Sequence, residues 1–376
     1  MKNFIKFLSI LTIALFTITA CSKTGETGAA GPAGPAGENG EDGIDGTDGT
    51  AGCVQCHSAD EDMQVKSAQW VNSVHVTGGH MAGYYASSDG CADCHSSQGF
   101  QEVVATGNWD NPAPSSPLPA NCYTCHEIHE TYTEADWAFR VADDGIELRV
   151  NEHVTNQNDA NTCVQCHQSR IAEPVLDLAD LATEVTITNK RYGPHHGPQG
   201  NMQAGMGNSG AYELAGNDYA NSVHATSTDV NCVSCHMASN AGSTGNLALG
   251  EHSKNVGTGS WDDDTRKINA NGCVTCHTDL TNNDAATAFV ATARETNLAA
   301  IAELGAKLYE LGYLDDDNYI ANGNETVSSD NPLVTSTEHA AAIYNYKFVS
   351  EDNSALIHNP MYAKALVANS LAALQE

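Results

Sequence analysis

The chain has 376 residues, 16 Lys and Arg against 47 Asp and Glu, a formal net charge of −31, 13 Cys, 16 His and only 6% aromatic side chains. Binding to a phosphate backbone needs a basic patch, so this excess of acid excludes nucleic acid as a partner and favours basic proteins or cations. Beyond the first twenty or so positions no apolar run approaches the roughly 20 residues needed to span a bilayer.

At the N-terminus Lys2 and Lys6 precede an apolar stretch from Phe7 to Ile18, which runs into Ile18-Thr19-Ala20-Cys21. This pattern predicts a signal peptide over 1–20 and a lipoprotein box, with a diacylglycerol on Cys21. Ser22 is compatible with onward transfer, so the expected location is exported and lipid-anchored at the outer membrane, on its periplasmic or cell-surface side. From Gly25 to Gly52 a glycine falls at every third position, the period of collagen. Residues 21–52 are therefore read as the lipidated Cys followed by a collagen-like tether, which would reach about 85 Å at about 3.1 Å per residue. Only Pro32 and Pro35 stiffen it, and three aligned copies would set Glu26, Glu38, Glu41, Asp42, Asp45 and Asp48 beside their equivalents. A flexible acidic spacer is favoured over a trimerising adhesion stalk.

Residues 53–376 repeat one pattern six times: Cys53–Cys56–His57, Cys91–Cys94–His95, Cys122–Cys125–His126, Cys163–Cys166–His167, Cys232–Cys235–His236 and Cys273–Cys276–His277, each as C-x-x-C-H. Two thiols on one turn can take the two vinyl groups of a porphyrin while the next residue gives its imidazole to the iron, the arrangement of c-type haem attachment. Zinc or disulfides would explain the paired cysteines but not a histidine after every pair. Six covalent haems c, each with its iron, are expected, and the region reads as one hexahaem cytochrome c domain.

The opposite face of each iron needs a second ligand. Ten histidines lie outside the motifs: His75, His80, His129, His153, His195, His196, His224, His252, His339 and His358. Histidine supply exceeds demand, and methionine is scarce. Trp70-Val-Asn-Ser-Val-His75 and Tyr219-Ala-Asn-Ser-Val-His224 are near copies ahead of a motif, which suggests two equivalent ligand loops. His129 follows His126 by three residues; on a helical turn both would share a face, so His129 must serve another iron or none. His358 precedes Asn359-Pro360, a plausible cap and first helical position that would hold the imidazole rigidly.

The sequence resembles the multihaem c-type cytochromes related to cytochrome c552 and pentahaem nitrite reductase, a group that includes relatives building extracellular filaments. The resemblance covers nearly everything from Cys53 onward. It rests on Cys122-Tyr-Thr-Cys-His-Glu-Ile-His129 with Asp136-Trp-Ala-Phe-Arg140, on Arg191-Tyr-Gly-Pro-His-His-Gly-Pro-Gln199, on Tyr219 to His236, and on Asn345-Tyr346 with His358-Asn-Pro-Met-Tyr362. It implies His75, His129, one of His195 and His196, His224, His252 and His358 as distal ligands, with His196 preferred within its pair. His153 and His339 fall where the group offers no ligand; with His80, in a Gly-rich loop, they are read as surface or hydrogen-bonding residues.

The fold expected is mainly α and irregular, short helices and loops wrapped around a haem stack, with the porphyrins supplying most of the apolar interior. A long helix is predicted from about Asp284 to Leu311, with Leu298, Ile301, Leu304 and Leu308 on one stripe and Gly312 as its stop, and a second after Pro360. The function expected is electron transfer through six bis-histidine haems, with no catalytic residue. Partners would be other multihaem cytochromes or redox proteins with basic patches, the membrane through the lipid, and further copies in filaments or trimers. The alternative is a reductase of nitrite, hydroxylamine or a sulfur oxyanion with one open haem. No C-x-x-C-Lys occurs to support it.

Overall fold

The computed structural model describes residues 61–78, 83–141, 144–240 and 246–375. The signal peptide, Cys21, the tether, the first motif and His80 lie outside these residues.

The part that carries most of the cysteines is built from short pieces. Helix α1, Glu61–Trp70, and helix α2, Ser97–Thr106, are its longest elements. Ser96 caps α2 through its side chain and Gly107, with φ 69°, ends it in the left-handed region. The remaining helical pieces between α1 and residue 280 are single turns of three to six residues. Strands are antiparallel pairs of two to four residues. Two small apolar clusters sit within this part, one of Phe100, Val141, Ile146, Leu148 and Val164, the other of Ile268, Ala270, Leu280 and Ala286. The mainly helical and irregular class expected from the sequence is the class observed.

The part built on the C-terminal helices is different. Strand β1, Glu184–Ile187, pairs with strand β2, Leu333–Ser336, in the register Ile187 opposite Leu333. Around this ribbon pack helices α3, Asn283–Glu310, α4, Thr337–Glu351, and α5, Pro360–Ala373. Asn282 caps α3 by accepting from the Ala285 N–H, and Gly312, with φ 76°, follows its last turn. Ile301, Leu304, Leu308, Ile343, Phe348, Tyr362 and Leu366 share one buried cluster. The expectation that porphyrins would supply most of the interior fails here, because three helices bury enough apolar surface on one another to form a conventional core. Leu298, placed on the buried stripe of α3 by sequence, is 41% exposed, and Asn297 is buried in its stead. Asn297 gains entry by donating to the Ala355 carbonyl at 2.7 Å.

Candidate haem-ligand array

Each described motif folds into one helical turn. The histidine N–H donates to the carbonyl of the first cysteine at 3.0 Å in Cys91–His95, 3.0 Å in Cys122–His126, 2.9 Å in Cys163–His167 and 2.8 Å in Cys273–His277. Cys232–His236 is itself a helix. Reciprocal capping by Asn121 with Thr124 and by Asn231 with Ser234 starts two of these turns. The turn presents two thiols and an imidazole together. No disulfide joins any of the ten described motif cysteines, and no group of three or more metal-binding side chains converges among the described residues.

Four motif imidazoles each face one imidazole from elsewhere in the chain. Ring centres are 6.0 Å apart for His75 and His167, 6.5 Å for His126 and His252, 6.1 Å for His224 and His277, and 6.4 Å for His236 and His358. A metal held between two trans imidazoles by bonds of about 2 Å on each side places ring centres about 6 Å apart, so these residues fit an iron between them. Burial, the largest cause, pushes His75, His236 and His252 down to about 4, which keeps the rings neutral and able to ligate at neutral pH.

The other ring nitrogen of most of these imidazoles is fixed by a hydrogen bond. His126 Nδ1 lies 2.8 Å from the Trp137 carbonyl, His224 Nδ1 2.8 Å from that of Ile357, and His236 Nδ1 3.0 Å from that of Lys254. His167 Nδ1 is 3.0 Å from Gln199 Oε1, and His75 Nδ1 is 3.1 Å from Ser73 Oγ. His358 Nδ1 is 2.7 Å from the buried Asp352 carboxylate. Such partners fix tautomer and ring orientation, leaving Nε2 for a metal.

Two short segments do much of this positioning. Turn 250–255 carries His252, orients His236 through the Lys254 carbonyl, and is tied to the Trp70–His75 region: Gln69 Nε2 bonds Glu251, and Asn255 Nδ2 donates to the Asn72 carbonyl at 3.2 Å. Segment 351–359, between α4 and α5, carries His358 and orients His224; its Asp352 carbonyl accepts at 3.1 Å from Gln199, which in turn holds His167. Asn359 does not cap α5 as expected. Its Oδ1 accepts from the Ser222 N–H and hydroxyl, and its Nδ2 donates to Met202 and Asn221, which clamps the Asn221–His224 loop to the start of α5. The near-copy loops do match in structure: helical turns Val74–Thr77 and Val223–Thr226 each place histidine second.

The other candidates stand as follows. His129 is not on a helical turn with His126, because its φ is 65°; its Nδ1 lies 2.7 Å from the Tyr123 hydroxyl and its ring stacks on Tyr132. His195 and His196 have ring centres 5.0 Å apart. His196 Nδ1 is 2.6 Å from Glu351, and that contact raises its pKa. Burial lowers His195 to about 4, with Arg170, His196 and His95 among the charges acting on it. The Tyr85 ring lies 5.5 Å from that of His95. His339 bonds the Tyr313 hydroxyl at 2.8 Å, and the His153 N–H donates to Asn151. Sequence reasoning missed Asp352, Glu351, Gln199 and Tyr123, which carry no local signature and gain their role by reaching a histidine far off in the chain or across a turn.

The motifs also abut. The Cys94 and Cys166 side chains meet, as do those of Cys163 and Cys232. Cys235 Sγ lies 3.6 Å from the Gly272 carbonyl beside the sixth motif, and Thr124 of the third donates to Ser97 after the second at 2.8 Å. Contacts therefore link the third, second, fourth, fifth and sixth motifs in a row.

Comparison with solved structures finds the crystal structure of outer cell wall cytochrome OcwA, with a TM-score of 0.48 and 19% identity over 82% of this chain. The match spans 50% of that protein's length. No family model and no curated protein matches.

Proposed function

We propose that the chain is an exported electron-transfer protein that binds six c-type haems. The observation that carries this reading is the facing of four motif histidines by four distant histidines at 6.0–6.5 Å. Cys91, Cys94, Cys122, Cys125, Cys163, Cys166, Cys232, Cys235, Cys273 and Cys276 would hold five haems covalently, and Cys53 and Cys56 the sixth. His75 with His167, His252 with His126, His358 with His236 and His224 with His277 would be axial pairs. His129 and one of His195 and His196 would serve the remaining two irons, as the sequence resemblance implies. Bound haem would supply one-electron exchange between ferric and ferrous iron. The chain's residues would set the distance between neighbouring groups, supply the imidazoles and tune them through their Nδ1 partners.

Facing imidazoles on both sides of four irons would leave those four no position for substrate, which favours a conduit over a reductase. In the cell the lipid on Cys21 and the 21–52 tether would hold this unit at the outer membrane, where its acidic surface would dock on basic patches of redox partners.

The test is a haem count by pyridine haemochrome with low-temperature EPR of the oxidised holoprotein, with and without nitrite and hydroxylamine. Six low-spin ferric haems indifferent to both ligands are expected. A high-spin signal that changes with either would make the protein a reductase, and fewer than six haems would break the motif assignment.

A further inference from the structure

Of the eight imidazoles in the four facing pairs, His358 alone meets a carboxylate at Nδ1 among the described residues. His126, His224 and His236 meet backbone carbonyls, His167 an amide oxygen and His75 a hydroxyl. The Asp352 side chain has 0% exposure, with Oδ1 2.7 Å from His358 Nδ1 and Oδ2 taking the Ser354 hydroxyl. Ser354 Oγ also accepts from the N–H groups of Ile357 and His358 at 3.0 and 3.3 Å, so carboxylate, hydroxyl and ligand turn form one closed unit. His196 also bonds a carboxylate, but its side chain is 68% exposed and no described motif imidazole faces it.

We propose that Asp352 is a positioning and tuning residue that makes the His236/His358 site the lowest in reduction potential of the four described pairs. The inference rests on the haem reading above. A carboxylate at Nδ1 draws the ring proton toward itself and gives the ligand imidazolate character, so Nε2 becomes a stronger donor and ferric iron is favoured over ferrous. A neutral carbonyl, amide or hydroxyl does this less. The buried negative charge acts in the same direction, since little water screens it. Because the fifth motif abuts both the fourth and the sixth, this site lies inside the row of motifs and acts as an uphill step for electrons crossing it.

The experiment is a potentiometric titration of the holoprotein, followed optically and by EPR, for wild type, Asp352→Asn, Asp352→Glu and Ser354→Ala. Asp352→Asn is expected to shift one low-potential component upward and alter the g-values of one low-spin signal, with six haems retained. Asp352→Glu is expected to return that component toward its wild-type position. Ser354→Ala removes a donor that competes for the carboxylate and is expected to shift the same component downward, a sign that loss of packing would not produce. The proposal is overturned if no component moves, if all components move together, or if both the Asn and Ala variants shift the component the same way. Should Asp352→Asn fail to fold, the sign of the Ser354→Ala shift decides. Wild type lacking low-spin haem altogether would fail the haem reading itself, an outcome distinct from any of these.

Discussion

At the scale of residues, the facing imidazoles differ in the angle between their planes. His75 with His167 and His224 with His277 cross at 76° and 83°, whereas His126 with His252 and His236 with His358 lie at 30° and 37°. Nearly parallel rings both donate into the same iron d orbital and split it from its partner. Crossed rings donate to both orbitals and leave them close in energy, which spreads the g-values. EPR of the holoprotein is expected to show both families, the crossed pairs as signals of large maximal g. A single rhombic family would contradict the observed geometry. Replacing His252 with Ala removes the ring facing His126, and one haem of six is expected to become high-spin and to bind carbon monoxide, read as a change in the optical spectrum of the reduced protein. His153→Ala, at a residue that faces no motif, is expected to leave all six low-spin.

At the scale of elements, two segments far apart in sequence position most of the described ligands. Turn 250–255 starts at Gly250, with φ 68° and ψ −170°, a conformation open to glycine alone, and a Cβ there would stand 2.2 Å from the Ala238 carbonyl. Gly250→Ala must therefore move the turn that carries His252 and the carbonyl orienting His236. The expected outcome is disturbance of two low-spin EPR signals together, where His252→Ala disturbs one. Segment 351–359 depends on Asn359, which is fully buried and bonds Ser222, Met202 and Asn221. Asn359→Ala takes away the partner of the Ser222 N–H and of the Met202 carbonyl, and a buried group left unpaired costs about 1–3 kcal/mol. A fall in thermal midpoint with loosening of the His224 site is expected, measured by calorimetry and EPR on the same sample.

Helix α3 was legible almost to the residue, predicted over 284–311 and found at Asn283–Glu310. Helix α4 was not, because Ala340 to Val349 are buried without a break and so show no amphipathic period to read. Asn359 was read correctly as the residue before a helix but not as a clamp, since its three partner residues lie more than a hundred positions away in the chain.

At the scale of the whole molecule, the α3–α5 core holds the segment that carries His358 and orients His224 but contributes no facing imidazole from its own helices. Leu304 is fully buried among apolar side chains and touches the array only through the helices it packs. Leu304→Ala is expected to cost about 2–5 kcal/mol of stability, while the midpoint potentials of the folded holoprotein stay where they were. Chemical denaturation and potentiometry together check this. The net charge of −31 gives a further expectation: association with a basic redox partner should slow as salt rises, because exposed charges are screened beyond about 10 Å at 0.1 M ionic strength.

The sequence by itself determined where two thiols and an imidazole stand together. Two thiols and an imidazole within five positions form one helical turn, and a contact that short in the chain needs no fold to bring it together. The near-copy loops at His75 and His224 were legible for the same reason, each being a single local helical turn. Only the tertiary structure decided which imidazoles meet: His126 with His252, and His236 with His358 across the C-terminal scaffold. It also decided that His358 alone among those eight rings would rest on a buried carboxylate. Such meetings depend on how α3, α4 and α5 bury one another and where their connecting segments are left standing, a long-range packing result that no window of residues contains.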